Sequence, residues 1–186
     1  MSQETQAALE TVLAEVAQPV LRYLERYVGD RAVAEDLRQE TLLRIARGHE
    51  AFAGRASAKT WALAIANRVA ADHFREPERR QRIVELDEAP EAVDPEREIG
   101  ERMVVDEMNR CVRQVIDSLP ETYRAALILH DIEERAIGQT AEICGCSVAT
   151  AKIRLHRARR RLREALQQEC AFYRDDEGVY RCDRKE

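Results

Sequence analysis

Long apolar runs are missing from this chain of 186 residues: none approaches the roughly 18 consecutive apolar residues that a membrane helix needs. No membrane insertion is expected. The N-terminal Met-Ser-Gln-Glu-Thr is not a signal peptide either, so a cytoplasmic location is expected. Glycine (7) and proline (5) are scarce, which argues against a loop-rich fold and for helices with short connections. The five cysteines (Cys111, Cys144, Cys146, Cys170, Cys182) are an odd number in a chain without an export signal, which argues against a disulfide framework. There is also no Gly-rich phosphate loop, no carboxylate pair in an apolar frame and no nucleophile–base pair. The chain is therefore expected not to be an enzyme, and no cofactor is implied.

Charge, by contrast, is abundant. Charged residues are 35% of the chain, with 35 acids against 30 Lys and Arg, for a net charge of −5. The basic charge is local. From Val148 to Leu166, the residues Val148, Ala151, Leu155, Ala158, Leu162 and Leu166 recur at steps of three and four, the stripe of an amphipathic helix. Between them stand Lys152, Arg154, Arg157, Arg159, Arg160, Arg161 and Arg163, with Glu164 the only acid. Such a helix wants a core behind it and a polyanion in front. The preceding segment says which polyanion. Ala136 to Cys144 is a short helical run and Gly145-Cys146-Ser147 is a tight break, with Gly145 able to take positive φ and Ser147 suited to cap the next helix. Helix, glycine turn and cationic second helix is the pattern of a helix-turn-helix, whose second helix enters the DNA major groove. A solvated basic face is the plainer reading of a charge run. The agreement of turn, cap and charge favours DNA. A membrane-surface helix would want bulkier apolar residues than this alanine-rich face carries.

Read in order, the chain opens with a helix to Tyr27 on the period Leu9, Leu13, Val16, Val20, Leu24, Tyr27. Val28-Gly29-Asp30 breaks it, and Asp30 caps a second helix from about Arg31 to Gly48 with Ala34, Leu37, Thr41 and Ile45 inward. Its outward face carries Glu35, Asp36, Arg38, Gln39, Glu40 and Arg44. After a loop from Glu50 to Ser57, a third helix runs from Ala58 to Arg75. Trp61, Ile65 and Val69 form one apolar line and Leu63, Ala66, Ala70 and Phe74 another; Trp61 is expected in the core, and Lys59, Asn67, Arg68, Asp72, His73 and Arg75 form the polar remainder. From Glu85 to Glu98 seven acids stand against Arg97 alone, with Pro90 and Pro95 breaking any period, the composition of a linker. Helical period returns with Val104, Met108, Cys111, Val115 and Leu119, and Pro120 opens the next helix, which ends near Glu133-Glu134. The expected fold is all-α: a three-helix domain over 1–80, an acidic linker over 81–101, a four-helix helix-turn-helix domain over 102–168, and a cysteine-bearing tail over 169–186.

Two separate stretches then resemble one family. Leu-Pro-Glu-Thr-Tyr-Arg at 119–124, followed by 140–159, is similar to region four of bacterial extracytoplasmic-function sigma factors. Ala34-Glu35-Asp36-Leu37-Arg38-Gln39-Glu40-Thr41, with Phe52 to Ser57 and Lys59-Thr60-Trp61, is similar to their region two. The resemblance implies a promoter-specificity subunit with core RNA polymerase, promoter DNA and a cognate anti-sigma factor as partners. It maps polymerase docking onto Asp36, Gln39 and Glu40. It maps minus-ten contacts, including capture of a flipped base, onto Arg55, Ser57, Lys59, Asn67 and Arg68. Minus-thirty-five contacts fall on Thr150, Lys152, Ile153, Arg154, His156 and Arg157, with Lys152 and Arg157 the direct base readers and Arg160 and Arg161 on phosphate or solvent. It also implies that the acidic linker threads toward the polymerase cleft as a mimic of RNA.

This sequence departs from the family pattern in places. Ala66-Asn67-Arg68 stands where Ala-Arg-Asn is common, which moves the asparagine about 100° around a helix and puts Arg68 in its place. Ile153 replaces a small polar residue, Cys144 and Cys146 replace aliphatics of the turn, and Thr140 sits at a usually aliphatic position. In the tail, Asp175-Asp176-Glu177-Gly178 is a turn signal between Phe172-Tyr173 and Val179-Tyr180; a small hairpin there would bring Cys170 and Cys182, the candidate metal ligands, toward one another. Two thiols alone fall short of the four ligands of a structural zinc site. Two other functions stay open at this point: a stand-alone helix-turn-helix regulator, and a metal- or redox-responsive sensor acting through the cysteine tail.

Overall fold

The computed structural model describes residues 3–52, 54, 56–75, 112–174, 178 and 180–185. The acidic linker over 81–101, the start of the expected fourth helix with Val104, Met108 and Cys111, and Arg55 lie outside the described residues.

The first unit is three helices, α1 (Gln3–Val28), α2 (Arg31–Gly48) and α3 (Ala58–Arg75). Each boundary has a local cause. Gly29 takes φ +76 after α1, and the Asp30 carboxylate accepts from the Val33 amide at 2.9 Å to cap α2. Ser57 caps α3 by accepting from the Thr60 amide at 3.1 Å. The buried residues of α2 are Ala34, Leu37, Thr41 and Ile45, as their spacing implies, and Thr41 satisfies its hydroxyl on the Leu37 carbonyl at 2.7 Å. They meet Val16, Val20, Tyr23, Leu24 and Tyr27 from α1, and Leu63, Ala66, Val69 and Ala70 from α3. Two expectations for α3 need correction. Trp61 is only half-buried and stacks on Phe52, with ring centroids 4.6 Å apart. His73 is buried rather than on the polar face, because it lies one turn beyond Val69 and Ala70 on the wide apolar arc.

The second unit begins with a helix over 112–118, here α4, and continues through α5 (Glu121–Leu127) after Pro120. α5 runs into a five-residue π turn, Ile128–Ile132, closed by the Glu133 amide on the Ile128 carbonyl at 2.8 Å. Then come α6 (Ile137–Ile143) and α7 (Val148–Glu169). An antiparallel hairpin follows, β1 (Cys170–Arg174) and β2 (Tyr180–Arg184), with Phe172 opposite Cys182. The expected hairpin forms.

The two units do not sit apart as beads. Their buried residues form one contiguous hydrophobic cluster, from Val16 in α1 to Leu155 and Ala158 in α7. Arg124 of α5 crosses the seam: 6% exposed, it donates to the carbonyls of Asp117 and Leu119 in its own unit and reaches the Tyr27 carbonyl at 3.4 Å in the other. Its guanidinium lies 4.7 Å from the Phe74 ring centroid and 5.5 Å from that of Tyr27. Ion pairs Arg26–Glu133 and Arg75–Glu121 flank it.

Candidate nucleic-acid interface

The second helix of the helix-turn-helix, α7, is built as its sequence implies. Gly145 adopts φ +61, the Cys146 amide bonds back to the Ala141 carbonyl at 3.0 Å, and the Ser147 hydroxyl accepts from the Thr150 amide at 3.1 Å. Ala151, Leu155 and Ala158 are buried, while Leu162 and Leu166 are half-buried. Val148, expected at the head of the inward stripe, is 44% exposed instead: it is the first residue of α7, a turn ahead of Ala151, and among the described residues no element covers that end. Behind the helix, Cys144 fills space as a small core hydrophobe; burial pushes its thiol up to about 11.

The six residues expected to meet the minus-thirty-five element do not share one environment. Lys152, Ile153, His156 and Arg157 are exposed, Ile153 at 53%. An isoleucine that exposed is unusual on a charged helix face. Thr150 is half-buried and its hydroxyl is 2.9 Å from that of Ser147, part of the cap. Arg154 is half-buried and points to the seam. Three of the arginines that follow have partners. Arg159 makes a two-pronged pair with Asp131 at 2.8 and 2.5 Å, Arg160 lies 3.5 Å from Glu164, and Arg161 sits over the Tyr123 ring.

On the first unit, the expected minus-ten residues fall in two places. Ser57 and Lys59 open α3; Ser57 is its cap, and Lys59 lies 3.8 Å from Glu15. Asn67 and Arg68 lie about two turns further along. Asn67 is half-buried, and its side-chain carbonyl accepts from the Tyr23 hydroxyl at 2.8 Å. Tyr23 is fully buried, which raises its phenol well above the ordinary range, so it stays protonated as that donor. Asn67, Arg68, Asp72, Arg75, Glu121 and Arg154 line one groove of roughly 250 Å³ between the units. Residues expected at the two promoter elements thus meet across the seam.

Asp36, Gln39 and Glu40 line a separate shallow depression on the outer face of α2 and α3, with Leu37, Leu43 and Arg44. Arg44 bonds Glu40 at 2.8 Å and reaches Asp72 at 3.4 Å, tying α2 to α3 beneath it. Leu43 is 52% exposed in the middle of this charged patch. Sequence reasoning missed it, although Leu42-Leu43 carried the signal: with Thr41 and Ile45 inward, two adjacent leucines cannot both face the core. Tyr123 has no such local signal, because its contacts with Arg157 and Arg161 depend on how α5 crosses α7. In the tail, Cys182 pairs with Phe172 while Cys170 pairs with Arg184, so the two cysteines are diagonal neighbours in the ladder. Among the described residues no cluster of three or more His, Cys, Asp or Glu could hold a metal.

A capped helix-turn-helix with a cationic second helix, packed on a separate three-helix unit, defines a bipartite helical DNA-binding protein of transcription. Comparison with known proteins specifies the class further. The family model for sigma-70 region 2 matches residues 13–81, and that for sigma-70 region 4 matches residues 109–162. The ECF RNA polymerase sigma factor SigC of Mycobacterium tuberculosis is 35% identical over 153 residues, which cover 82% of this chain and 80% of that protein. SigX of Bacillus subtilis is 32% identical over 153 residues, covering 81% and 79%. In fold, the chain is similar to the sigma factor RpoE of Bartonella quintana, solved with the anti-sigma factor NepR (TM-score 0.62, 24% identity, 85% of this chain and 96% of that one). It is similar also to CnrH, solved with the cytosolic domain of CnrY (TM-score 0.61, 18% identity, 87% and 89%). The chain belongs to the sigma-70 family, in its extracytoplasmic-function group: it is an alternative sigma factor. Among the described residues no helix is long and apolar enough to cross a membrane.

Proposed function

We propose that this sigma factor docks on core RNA polymerase through the α2 patch of Asp36, Gln39 and Glu40, with Leu43 as its apolar centre. It reads the minus-thirty-five element with the exposed edge of α7, where Lys152, Ile153, His156 and Arg157 face solvent and Thr150 completes the cap. Arg55, Ser57, Lys59, Asn67 and Arg68 meet the minus-ten element. The factor works in the cytoplasm, does no chemistry of its own and is restrained by a cognate anti-sigma factor, the kind of partner with which RpoE of Bartonella quintana was solved. The observation that carries this reading is the single exposed cationic edge of α7 behind its Ser147 cap.

Engaging both elements requires the seam to part. Their centres lie some 25 base pairs apart, about 85 Å of duplex at ~3.4 Å per pair. Asn67, Arg68 and Arg154 line one groove. The 26 residues from 76 to 101, ahead of the expected fourth helix, give a contour of at most roughly 90 Å, about that separation.

Run-off transcription with purified core polymerase on a promoter library tests the proposal. Specific starts preceded by two shared motifs at fixed spacing are expected. Tight duplex binding by the protein alone, with no core-dependent initiation, would refute it in favour of a stand-alone regulator.

A further inference from the structure

We propose that Tyr123 is the positioning residue of the recognition helix, aiming Arg157 with its hydroxyl and seating Arg161 on its ring. The proposal rests on the reading of Arg157 as a contact to the minus-thirty-five bases.

Arg157 Nη1 lies 3.4 Å from the Tyr123 hydroxyl, and the Arg161 guanidinium lies 5.2 Å from the centroid of the same ring. Arg157 and Arg161 are one turn apart on α7, so a single side chain from α5 meets both. Tyr123 is itself fixed: half-buried, it packs against the hydrophobic cluster. With only two rotatable bonds, it is a rigid platform under two flexible chains.

The chemistry of the partner is the telling point. Arg159, on the same helix, is held by the Asp131 carboxylate, which cancels its charge while it orients it. A phenol orients a guanidinium without cancelling it. Arg157 and Arg161 therefore keep their full positive charge for DNA, and their long side chains are partly ordered in advance, a cost otherwise met on binding. In return, the Arg157 hydrogen bond lowers the Tyr123 pKa below its ordinary value. Tyr123, Arg157 and Arg161 all belong to the second unit, so the arrangement moves with α7 when the seam opens.

The test uses the full chain with core polymerase on a promoter library randomised across the minus-thirty-five element. Tyr123→Phe, Arg157→Ala, the double variant and Tyr123→Leu are compared with the parent. Arg157→Ala is expected to flatten base preference at one position. Tyr123→Phe keeps the ring and the packing, so it should weaken preference at that same position by about twofold, the low end for one immobilised side chain, because the 3.4 Å contact is a long hydrogen bond. Its melting temperature should not change, and it should add nothing in the Arg157→Ala background. Tyr123→Leu, which also unseats Arg161, should further weaken binding uniformly across sequences. If Arg157→Ala flattens the position and Tyr123→Phe leaves it untouched, or lowers all sequences alike, the positioning role is overturned. If Arg157→Ala changes nothing, the reading of Arg157 fails, and the role of Tyr123 fails with it.

Discussion

Replacing Arg124 by alanine tests how the two units are held together. Arg124 is 6% exposed, and among the described residues no carboxylate is in direct contact with its guanidinium; it is sustained by the Asp117, Leu119 and Tyr27 carbonyls and by the Phe74 and Tyr27 rings. Burial lowers its pKa, so the residue bears a desolvation cost that these contacts offset. Truncation removes that cost. It also removes hydrogen bonds to a charged group worth about 1.5–3 kcal/mol each, strands buried carbonyls and opens a cavity at the seam. The contacts to Leu119 and Tyr27, at 3.3 and 3.4 Å, are weak and count for less. The expected net loss is about 3 kcal/mol, a large share of the roughly 5–15 kcal/mol that holds a domain folded. For a chain of this size that lowers the melting temperature by roughly 6–12 °C. The partners span both units, so backbone amides of α1 and α3 along the seam should also lose protection from hydrogen exchange. Arg124→Met, which keeps the length of the stem, should lose less. Calorimetry and hydrogen exchange on the purified chain decide the matter. A drop under about 2 °C with seam protection intact would refute the view that Arg124 pins the units together.

Gly29→Ala should destabilise by about 1–2 kcal/mol in thermal unfolding, because φ is +76 there and a Cβ would lie 2.9 Å from the Arg113 guanidinium; the flexible arginine can yield, whereas the backbone strain remains. Ser147→Ala removes the cap of α7 and should cost about 1 kcal/mol, with Ser147→Asp close to neutral; equal melting temperatures for Ser147→Ala and the parent would contradict the cap. Stability should fall in alkali. Cys144, Tyr23 and Tyr27 all have folded pKa values raised by burial, from 9.0 for the thiol and 10.0 for the phenols. Each therefore contributes stability below its unfolded value that is lost as pH rises through the folded one. Above about pH 9 the loss should approach 1.4 kcal/mol per pH unit for each group ionised only when unfolded. Tyr27→Phe should flatten the slope above pH 10, as followed by melting temperature against pH; an unchanged slope would contradict burial as the cause.

Much of this protein was determined by the sequence alone, because its signals are local. Asp30, Ser57 and Ser147 each bond an amide three residues on, and Gly29 and Gly145 supply positive φ within a turn, so the helix ends follow from a few neighbouring residues. The inward stripe of α2 follows from helical period, and the cationic edge of α7 from composition. The tail hairpin follows from its turn residues. The misjudged positions are those at the margin of a buried face, where its width or its cover decides. His73 is buried by its place on a wide arc, Val148 is exposed because none of the described residues covers the start of α7, and Leu43 stands out because Thr41 and Ile45 turn inward beside it. Period alone does not say which helix lies across a face. The seam is of the same kind. That Arg124 sits between Tyr27 and Phe74, that Asn67 is held by Tyr23, and that Arg154 faces the groove they share depend on contacts between residues tens of positions apart. Those contacts have no local signature, so only tertiary packing, which trades the desolvation of one guanidinium against two rings and three carbonyls, decided them.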